Sequence, residues 1–342
     1  MNIIIDAMGG DNAPAEILKG AAAAVREYGV HITAVGSEEK IAAAVKENAI
    51  DMTDITVVNA SEEIAMCDEP TAAIRRKKDS SMVVGLRLLA DGKGDAFVSA
   101  GSTGALLAGA MLIVKRLRGV RRPAIATVVP GAVQPYILLD SGANVECRPE
   151  MLNAFAVMGS VYAEKVLGRA NPSVGLVNNG AEETKGTPDY VAAHALMKQN
   201  PHIRFTGNIE PKDVPQGNVD VVVCDGFVGN VILKLTEGVA KMLTGEIKKV
   251  FLAGVPQKLA FLLVKKGMKG FKAKLDADEH GGALMMGVTK PVIKAHGSSN
   301  AKAFKNAVRQ AKACVDGGVV PAIQERLAVL ADGAADEEKG EE

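Results

Sequence analysis

One stretch, residues 219–239, constrains the fold more than any other. Residues 219–224 read Val-Asp-Val-Val-Val-Cys, a nearly continuous apolar run that suits a strand covered on both faces, as in a parallel sheet. Gly226 and Gly229 follow and lead into a helical pattern over residues 231–239. The glycines let the backbone turn tightly, so free N–H groups at the helix start can point at one spot, where the helix dipole favours an anion. The stretch therefore predicts a strand, a phosphate-binding turn and a helix.

The same order of an apolar strand and a polar, glycine-bearing turn occurs four more times. These turns begin at Asp6, Ser99, Asp140 and Asn178. In an open α/β sheet the carboxyl ends of parallel strands meet in one crevice. We therefore predict an α/β fold in which five turns converge on one active site.

Composition excludes several classes of function. The 342 residues can bury a large core, and the 40 basic and 40 acidic residues give a formal charge of zero, which argues against a general nucleic-acid binder. The four cysteines lie far apart without a C-x-x-C pair, which favours reduced thiols in a cytosolic protein. The apolar run over residues 105–114 is too short to span a bilayer. We expect a soluble, cytoplasmic protein.

Periodicity and end signals predict the order of the elements. Helices are predicted over residues 13–28, 38–48, 81–90, 104–114, 149–168 and 301–330, and strands over residues 30–36 and 55–59. Their alternation implies right-handed crossovers and a mostly parallel sheet with helices on both sides. Residues 124–129 and 136–139, separated by Pro130 and Gly131, predict a hairpin of antiparallel strands. We predict a single domain over residues 1–331 and an acidic, disordered tail over residues 332–342.

Residues 247–275 have an unusual composition. They contain eight lysines and no acidic residue, interleaved with apolar side chains such as Leu259, Phe261 and Phe271. A lysine-only polar set is typical of an amphipathic helix that lies on an anionic membrane. The same residues could instead pack a dimer interface or bind an acidic protein.

Two further basic clusters occur, at residues 75–78 and residues 115–122. The first could simply be a solvated helix face. The alternative is a docking surface for an acidic or phosphorylated partner.

Several motifs in order carry a resemblance to a known family. They are residues 6–11 (Asp-Ala-Met-Gly-Gly-Asp), 99–105 (Ser-Ala-Gly-Ser-Thr-Gly-Ala), 139–144 (Leu-Asp-Ser-Gly-Ala-Asn), 185–186, 207–210, 225–231 (Asp-Gly-Phe-Val-Gly-Asn-Val) and 294–299 (Lys-Ala-His-Gly-Ser-Ser). Together they resemble the acyl-[acyl-carrier-protein]:phosphate acyltransferase family of bacterial phospholipid synthesis, over about residues 1–331. Such a series is more specific than one glycine motif. The family usually carries Asn where this chain has Ser102.

The resemblance implies both a fold and a reaction. The implied fold is a three-layer α/β/α domain related to phosphotransacetylases and to isocitrate- and isopropylmalate-type dehydrogenases. The implied reaction converts a fatty acyl-[acyl carrier protein] and inorganic phosphate to acyl phosphate, which a membrane glycerol-3-phosphate acyltransferase would consume. A homodimer, peripheral attachment to the membrane, and the absence of a metal or other cofactor are also implied.

Two residues are the candidates for catalysis. Lys185 lies in a glycine loop after a strand and could neutralise the phosphate or the leaving sulfur. Asn230 follows Gly229 at a helix start and could donate a hydrogen bond to the carbonyl oxygen as that oxygen gains charge. A glycine-loop asparagine can also serve only as a helix cap.

The remaining candidates are expected to bind substrate, because they belong to the turns that follow the strands. They are Asp6, Gly9, Gly10, Ser99, Gly101, Ser102, Thr103, Gly104, Asn144, Asp225, Gly226, Gly229 and His296. Some of the aspartates could instead cap helices or hold lysines, since an unpaired carboxylate would repel phosphate. His280 and His296 could transfer protons or be structural.

Three other functions compete with this interpretation. A phosphotransacetylase would perform the same chemistry on acyl-CoA. A nicotinamide dehydrogenase is disfavoured, because no G-x-G-x-x-G motif follows a predicted strand. A non-catalytic membrane scaffold would keep residues 247–275 and lack turnover.

Overall fold

The computed structural model describes residues 1–274 and 281–340, and in this part of the chain eleven strands form one sheet. The strands are β1 (Asn2–Asp6), β2 (His31–Gly36), β3 (Ile55–Asn59), β4 (Ala96–Ser99), β5 (Ala124–Val129), β6 (Tyr136–Leu139), β7 (Ser173–Val177), β8 (Arg204–Ile209), β9 (Val221–Val223), β10 (Ala283–Met286) and β11 (Val292–Lys294). The helices are α1 (Ala15–Tyr28), α2 (Glu38–Asn48), α3 (Pro70–Arg76), α4 (Ser81–Ala90), α5 (Thr103–Gly109), α6 (Pro149–Lys165), α7 (Pro188–Gln199), α8 (Gly226–Leu252), α9 (Val255–Lys274), α10 (Ala301–Asp316) and α11 (Val319–Gly340).

The direction of the strands changes in the middle of the sheet. The order is β3-β2-β1-β4-β11-β10-β5-β6-β9-β7-β8, and the first five of these strands are parallel to one another. Strand β10 is antiparallel to both β11 and β5, and β5 is also antiparallel to β6. Strands β6, β9, β7 and β8 are again parallel to one another. The second group therefore runs opposite to the first.

This reversal corrects one sequence prediction. The turns after β1 and β4 lie at one edge of the sheet, whereas the turns after β6, β7 and β9 lie at the opposite edge. The five turns do not meet at a common edge, because three consecutive antiparallel pairings invert the second group of strands. The predicted hairpin of β5 and β6 is confirmed, but its effect on the rest of the sheet was not foreseen.

Helices cover both faces of the sheet. One face is packed by α1, α6, α10 and α11, through buried side chains such as Ile17, Phe155, Phe304 and Ile323. On the other face, α4 and α5 cover the first group of strands, with Leu86 and Leu106 in their core. The start of α8 covers the second group on that same face. A gap between α5 and α8 leaves part of β5 uncovered.

Local sequence signals set most element ends correctly. The predicted helices over residues 38–48 and 81–90 have those bounds in the structure, and Ser37 and Ser80 cap them by accepting hydrogen bonds from main-chain N–H groups. Gly29 ends α1 in the left-handed region, at φ 62°. The helix predicted over residues 104–114 is α5 followed by a π-helical turn over Ala110–Val114.

The last described helix extends into the acidic end of the chain. Helix α11 runs to Gly340, and the disordered tail expected over residues 332–342 stays a prediction. Alanine, glutamate and lysine between residues 334 and 339 have high helix propensity, which favours this continuation. Residues 341–342 lie outside the described residues.

Helices α8 and α9 form a hairpin with an exposed apolar surface. Helix α8 has 27 residues and is about 40 Å long, and Phe251 on α8 contacts Phe261 on α9 with ring centroids 5.3 Å apart. The predicted amphipathic segment, residues 247–275, is thus the end of α8 plus α9, and residue 275 lies outside the described residues. The exposed apolar side chains of the hairpin include Val239, Met242, Leu243, Val250, Leu252, Leu259, Leu262 and Leu263. None of the described helices is both long and apolar enough to cross a bilayer.

Candidate active site

A cavity of about 500 Å³ occupies the gap between α5 and α8. Strand β5 forms its floor, because Ile125, Thr127 and Val129 alternate toward this face. The Thr127 hydroxyl lies 2.7 Å from the Ser141 hydroxyl, which belongs to the loop after β6. The cavity therefore crosses the sheet from one edge toward the other and receives residues from both groups of strands.

Four of the predicted site residues line this cavity. They are Thr103, Gly226, Asn230 and His296. Thr103 and His296 come from the first group of strands, and Gly226 and Asn230 come from the start of α8. The structure thus brings together turns from opposite edges.

Two glycines allow the first turn of α8 to pack directly on the loop after β6. A Cβ atom on Gly226 would press against the main chain of Asn144, and one on Gly229 would overlap the carbonyl oxygen of Asp140. The Gly226 N–H donates to the Asn144 carbonyl at 2.6 Å. This contact places Asn230 against Gly142 at the side of the cavity.

Asp140 holds the loop after β6 in shape. Its carboxylate accepts hydrogen bonds from the main-chain N–H groups of Ile125, Gly142, Ala143 and Asn144, at 2.8–3.1 Å. The Asn144 side-chain amide donates a further bond to it, at 2.8 Å. Burial raises the pKa of Asp140, and these hydrogen bonds oppose the rise. Asp140 and Asn144 therefore shape the cavity wall without lining it.

Asp225 is a helix cap. Its carboxylate accepts the Val228 N–H at 2.8 Å and the Tyr190 hydroxyl at 2.5 Å. Both carboxylate oxygens are thus engaged by the protein itself. Asp225 anchors α8 and is not a lining residue.

Asp6 lies behind the first group of turns. Its carboxylate is buried and accepts hydrogen bonds from the hydroxyls of Ser81 and Ser99, at 2.6 and 2.7 Å. Burial raises the pKa of Asp6, and the serine hydroxyls oppose the rise. Gly9 and Gly101 pack against each other over this carboxylate, where a Cβ on Gly9 would not fit. These residues do not line the cavity but pack behind the turns that form its edge.

The other residues predicted from the first group of strands also stabilise the turns and do not line the cavity. Ser102 is buried and caps α5, since its hydroxyl accepts the Ala105 N–H at 3.4 Å. Gly104 packs against Pro70 at the start of α3, and Gly10, at φ 104°, packs against Ala100. A serine is therefore sufficient at position 102 as a helix cap.

Lys294 is a lining residue that was not among the predicted site residues, although it begins the motif of residues 294–299. Its ammonium donates to the carbonyl oxygens of Ala100, at 3.3 Å, and Ala295. Burial lowers the pKa of Lys294 to about 8, and the Asp6 and Asp11 carboxylates oppose this shift. The sequence feature that could have indicated Lys294 is a single charged residue near the end of the apolar run 291–295.

Lys185 does not line the cavity. It is exposed in the loop between β7 and α7, where its carbonyl oxygen accepts a hydrogen bond from the Asn178 side chain at 2.9 Å. Helix α7, which follows this loop, reaches the start of α8 through Tyr190, whose hydroxyl donates a hydrogen bond to Asp225. The catalytic assignment of Lys185 stays a prediction, and His280 lies outside the described residues.

Comparisons with known proteins identify the family. A family model described as "Fatty acid synthesis protein" matches residues 1–321. A phosphate acyltransferase of Alkaliphilus oremlandii is 49% identical over 332 residues, which cover 97% of this chain and 99% of the relative. The chain belongs to the phosphate acyltransferase family. Another relative of that name, from Thermoanaerobacterium thermosaccharolyticum, is 46% identical over 97% of this chain and 98% of its own length.

Solved structures of phosphotransacetylases share the fold of this phosphate acyltransferase family member. The enzyme from Streptococcus pyogenes has a TM-score of 0.62 at 18% identity and covers 95% of this chain and 93% of its own. The EutD phosphotransacetylase from Staphylococcus aureus has a TM-score of 0.61 at 19% identity, with coverages of 92% and 94%. The predicted three-layer α/β/α architecture and its relation to phosphotransacetylases are confirmed.

The close packing of α8 predicts a contrast between two glycines of the same helix. Gly229→Ala should destabilise the protein by about 1–3 kcal/mol, because the new methyl group overlaps the Asp140 carbonyl. Gly238→Ala should stabilise it by about 0.5–1 kcal/mol, because that position is exposed and open. Urea unfolding of both variants measures the difference, and equal free energies of unfolding would contradict the proposed contact.

Proposed function

We propose that this protein transfers a fatty acyl group from the thioester of acyl carrier protein to inorganic phosphate. A phosphate oxygen attacks the carbonyl carbon, the C–O bond forms and the C–S bond breaks. The sulfur leaves as a thiolate and takes up a proton, which yields acyl phosphate and the free carrier. The observation that carries the proposal is a cavity that joins a half-buried cation, Lys294, to an apolar floor. An anion and a fatty chain require these two surfaces.

The proposed phosphate position is the end of the cavity near Lys294. Thr103 and His296 line the same end and offer hydrogen-bonding side chains. Lys234, on α8, lies near enough to Lys294 to lower its pKa, and it pairs at 3.2 Å with Glu237, which also lines the cavity. Phosphate is partly dianionic near neutral pH, so it needs orientation and partial neutralisation more than deprotonation.

Asn230 is the proposed donor to the carbonyl oxygen. Asn230 lines the cavity and directly follows Gly229, the glycine that lets α8 pack against the loop after β6. Its side-chain amide can donate a hydrogen bond as the carbonyl oxygen gains negative charge in the transition state. One such donor typically contributes about 3–4 kcal/mol.

The state of the buried thiols supports direct attack by phosphate. Burial raises the pKa of Cys224 well above its usual value and raises the pKa of Cys147 to about 12. Neither thiol is appreciably ionised near neutral pH, so neither is suited to carry the acyl group.

The proposed product explains the apolar hairpin. An acyl phosphate is an activated acyl donor, and we propose that it feeds the acylation of glycerol 3-phosphate at the membrane. Leu263 is 88% exposed at α9, and its neighbours include Lys265 and Lys266. Such an apolar surface rimmed by lysines suits an anionic bilayer or a second copy of the chain. We propose that the hairpin serves a homodimer that attaches peripherally to the membrane.

The cavity predicts which side chains matter for turnover. Acylated carrier and phosphate should give acyl phosphate, and Asn230→Ala should lower kcat about 10²–10³-fold. Lys294→Met should raise KM for phosphate at least tenfold, because the cation in the cavity is lost. Detection of acyl phosphate as its hydroxamate measures both effects.

Lys185→Met is the matched comparison for Lys294→Met. A larger loss from Lys185→Met would move the cationic role to the exposed loop. Wild-type turnover of acyl-CoA that exceeds turnover of the acylated carrier would favour a phosphotransacetylase instead. An absence of phosphate-dependent thioester loss with either substrate would leave only a scaffold role.

The pKa of Lys294 predicts an alkaline limit. The ammonium is charged below pH 8 and becomes neutral as the pH rises through about 8, because burial disfavours its charged form. We expect KM for phosphate to rise between pH 7 and pH 9 in the wild type. Lys294→Met should have a high KM with little dependence on pH in this range. An unchanged alkaline limb in Lys294→Met would contradict the assignment.

The hairpin predicts a loss of membrane binding on charge insertion. Leu262→Glu combined with Leu263→Glu should abolish flotation with anionic vesicles, because two exposed apolar side chains are replaced. Met66→Glu, at another exposed apolar position, is the control and should float normally. Retained flotation together with a shift to monomers in sedimentation would assign this surface to the second subunit alone.

A further inference from the structure

The loop formed by residues 115–122, called here the basic loop, presents a concentrated positive charge. It contains two lysine-or-arginine pairs and a further arginine, with no acidic residue, and all five cations are exposed: Lys115, Arg116, Arg118, Arg121 and Arg122. Within residues 1–274 and 281–340 none of the five forms an ion pair. Their charge is therefore available to a partner.

The basic loop is held in a fixed conformation. Leu117 and Val120 are buried and anchor it to the core. The Leu117 N–H donates to the carbonyl oxygen of Gly287 at 2.9 Å, and the Arg118 N–H donates to the Gln324 side chain at 3.1 Å. A fixed loop loses little conformational freedom when a partner binds.

The basic loop also adjoins the cavity. Arg122 directly precedes Pro123, whose carbonyl oxygen accepts a hydrogen bond from the Asn144 side chain at 2.9 Å. Val145, which directly follows Asn144 in the chain, lines the cavity and is 71% exposed. Ile125, on the cavity floor, follows Arg122 by three residues, or about 10 Å along the strand.

The other basic cluster, residues 75–78, lacks these properties. Lys77 pairs with Asp68 at 2.6 Å and donates to the carbonyl oxygen of Glu63. Glu62 and Asp79 are joined by a hydrogen bond close to the same cluster. Neighbouring acids therefore offset part of its charge, whereas the cations of the basic loop form no ion pair with any described residue.

We propose that the basic loop docks the acidic surface of the carrier protein that bears the acyl thioester. The proposal rests on the proposed function, because it names the part of the molecule that receives the carrier of that reaction. Contact at Arg121 and Arg122 places the partner at the cavity rim beside Val145. The thioester, which the carrier holds on a flexible arm, then enters the cavity toward Asn230. The partner's acidic residues supply the complementary charge that speeds and orients association.

A pair of charge reversals tests this docking site. Arg121→Glu combined with Arg122→Glu should weaken binding of the unacylated carrier at least tenfold at low salt, measured by fluorescence titration. The difference from the wild type should shrink as the salt concentration approaches about 1 M, where the screening length is about 3 Å. Turnover of a small uncharged acyl thioester, such as an acyl-N-acetylcysteamine, should be unchanged in this variant.

Arg75→Glu combined with Arg76→Glu is the matched control and should bind the carrier within about twofold of the wild type. Equal losses in both variants, a loss confined to the control, or normal binding by Arg121→Glu with Arg122→Glu would each overturn the proposal. The binding titration does not require turnover. If the wild type binds the carrier but makes no acyl phosphate from its acylated form, the proposed function fails while the docking result stands.

Discussion

The contact between the first turn of α8 and the loop after β6 determines the geometry of the rest of the site. Helix and loop can approach so closely only because Gly226 and Gly229 have no side chains. Asp140 fixes the other partner of this contact by gathering four main-chain N–H groups around one buried carboxylate. A buried carboxylate is costly unless it is hydrogen-bonded, so Asp140 and the loop stabilise each other. The position of Asn230 follows from this arrangement.

The reversal of strand direction explains why the cavity has two chemically different ends. The first group of strands contributes Lys294, Thr103 and His296, and the second contributes Asn230 through α8. A uniformly parallel sheet would have placed all of its turns at one edge. Here the antiparallel strands β10 and β5 separate the two groups and supply an apolar floor between them. The site is thus built across one face of the sheet.

Local features of the sequence were sufficient to predict much of the fold. Ser37 and Ser80 marked helix starts, and the valine run 219–223 marked a buried strand, because these signals act within a few residues. The direction of the second group of strands depends on pairings between distant segments, which periodicity does not encode. The same distinction applies to the site. Asn230 could be predicted as a site residue because the adjacent glycines, Gly226 and Gly229, are a local signal that a helix packs closely against another part of the main chain.

Lys294 and Lys185 illustrate the opposite case. Lys185 stands in a polar glycine loop, a pattern typical of an anion site, yet its side chain is exposed in the structure. Lys294 ends a three-residue strand and begins the motif of residues 294–299, but only tertiary packing makes it a half-buried cation with a pKa of about 8. Asp6 and Asp225 were also expected to bind substrate, whereas both carboxylates accept hydrogen bonds from the protein itself.

Helix α8 is a single rod from the cavity to the tip of the hairpin. Its 27 residues contain no break, so the amide at its near end and the apolar side chains at its far end belong to one rigid body. A tilt of about 3° around the middle of this helix, which is about 40 Å long, would displace each end by about 1 Å. Whatever surface the hairpin contacts therefore also affects the orientation of the Asn230 side chain, which we propose as the donor to the carbonyl oxygen.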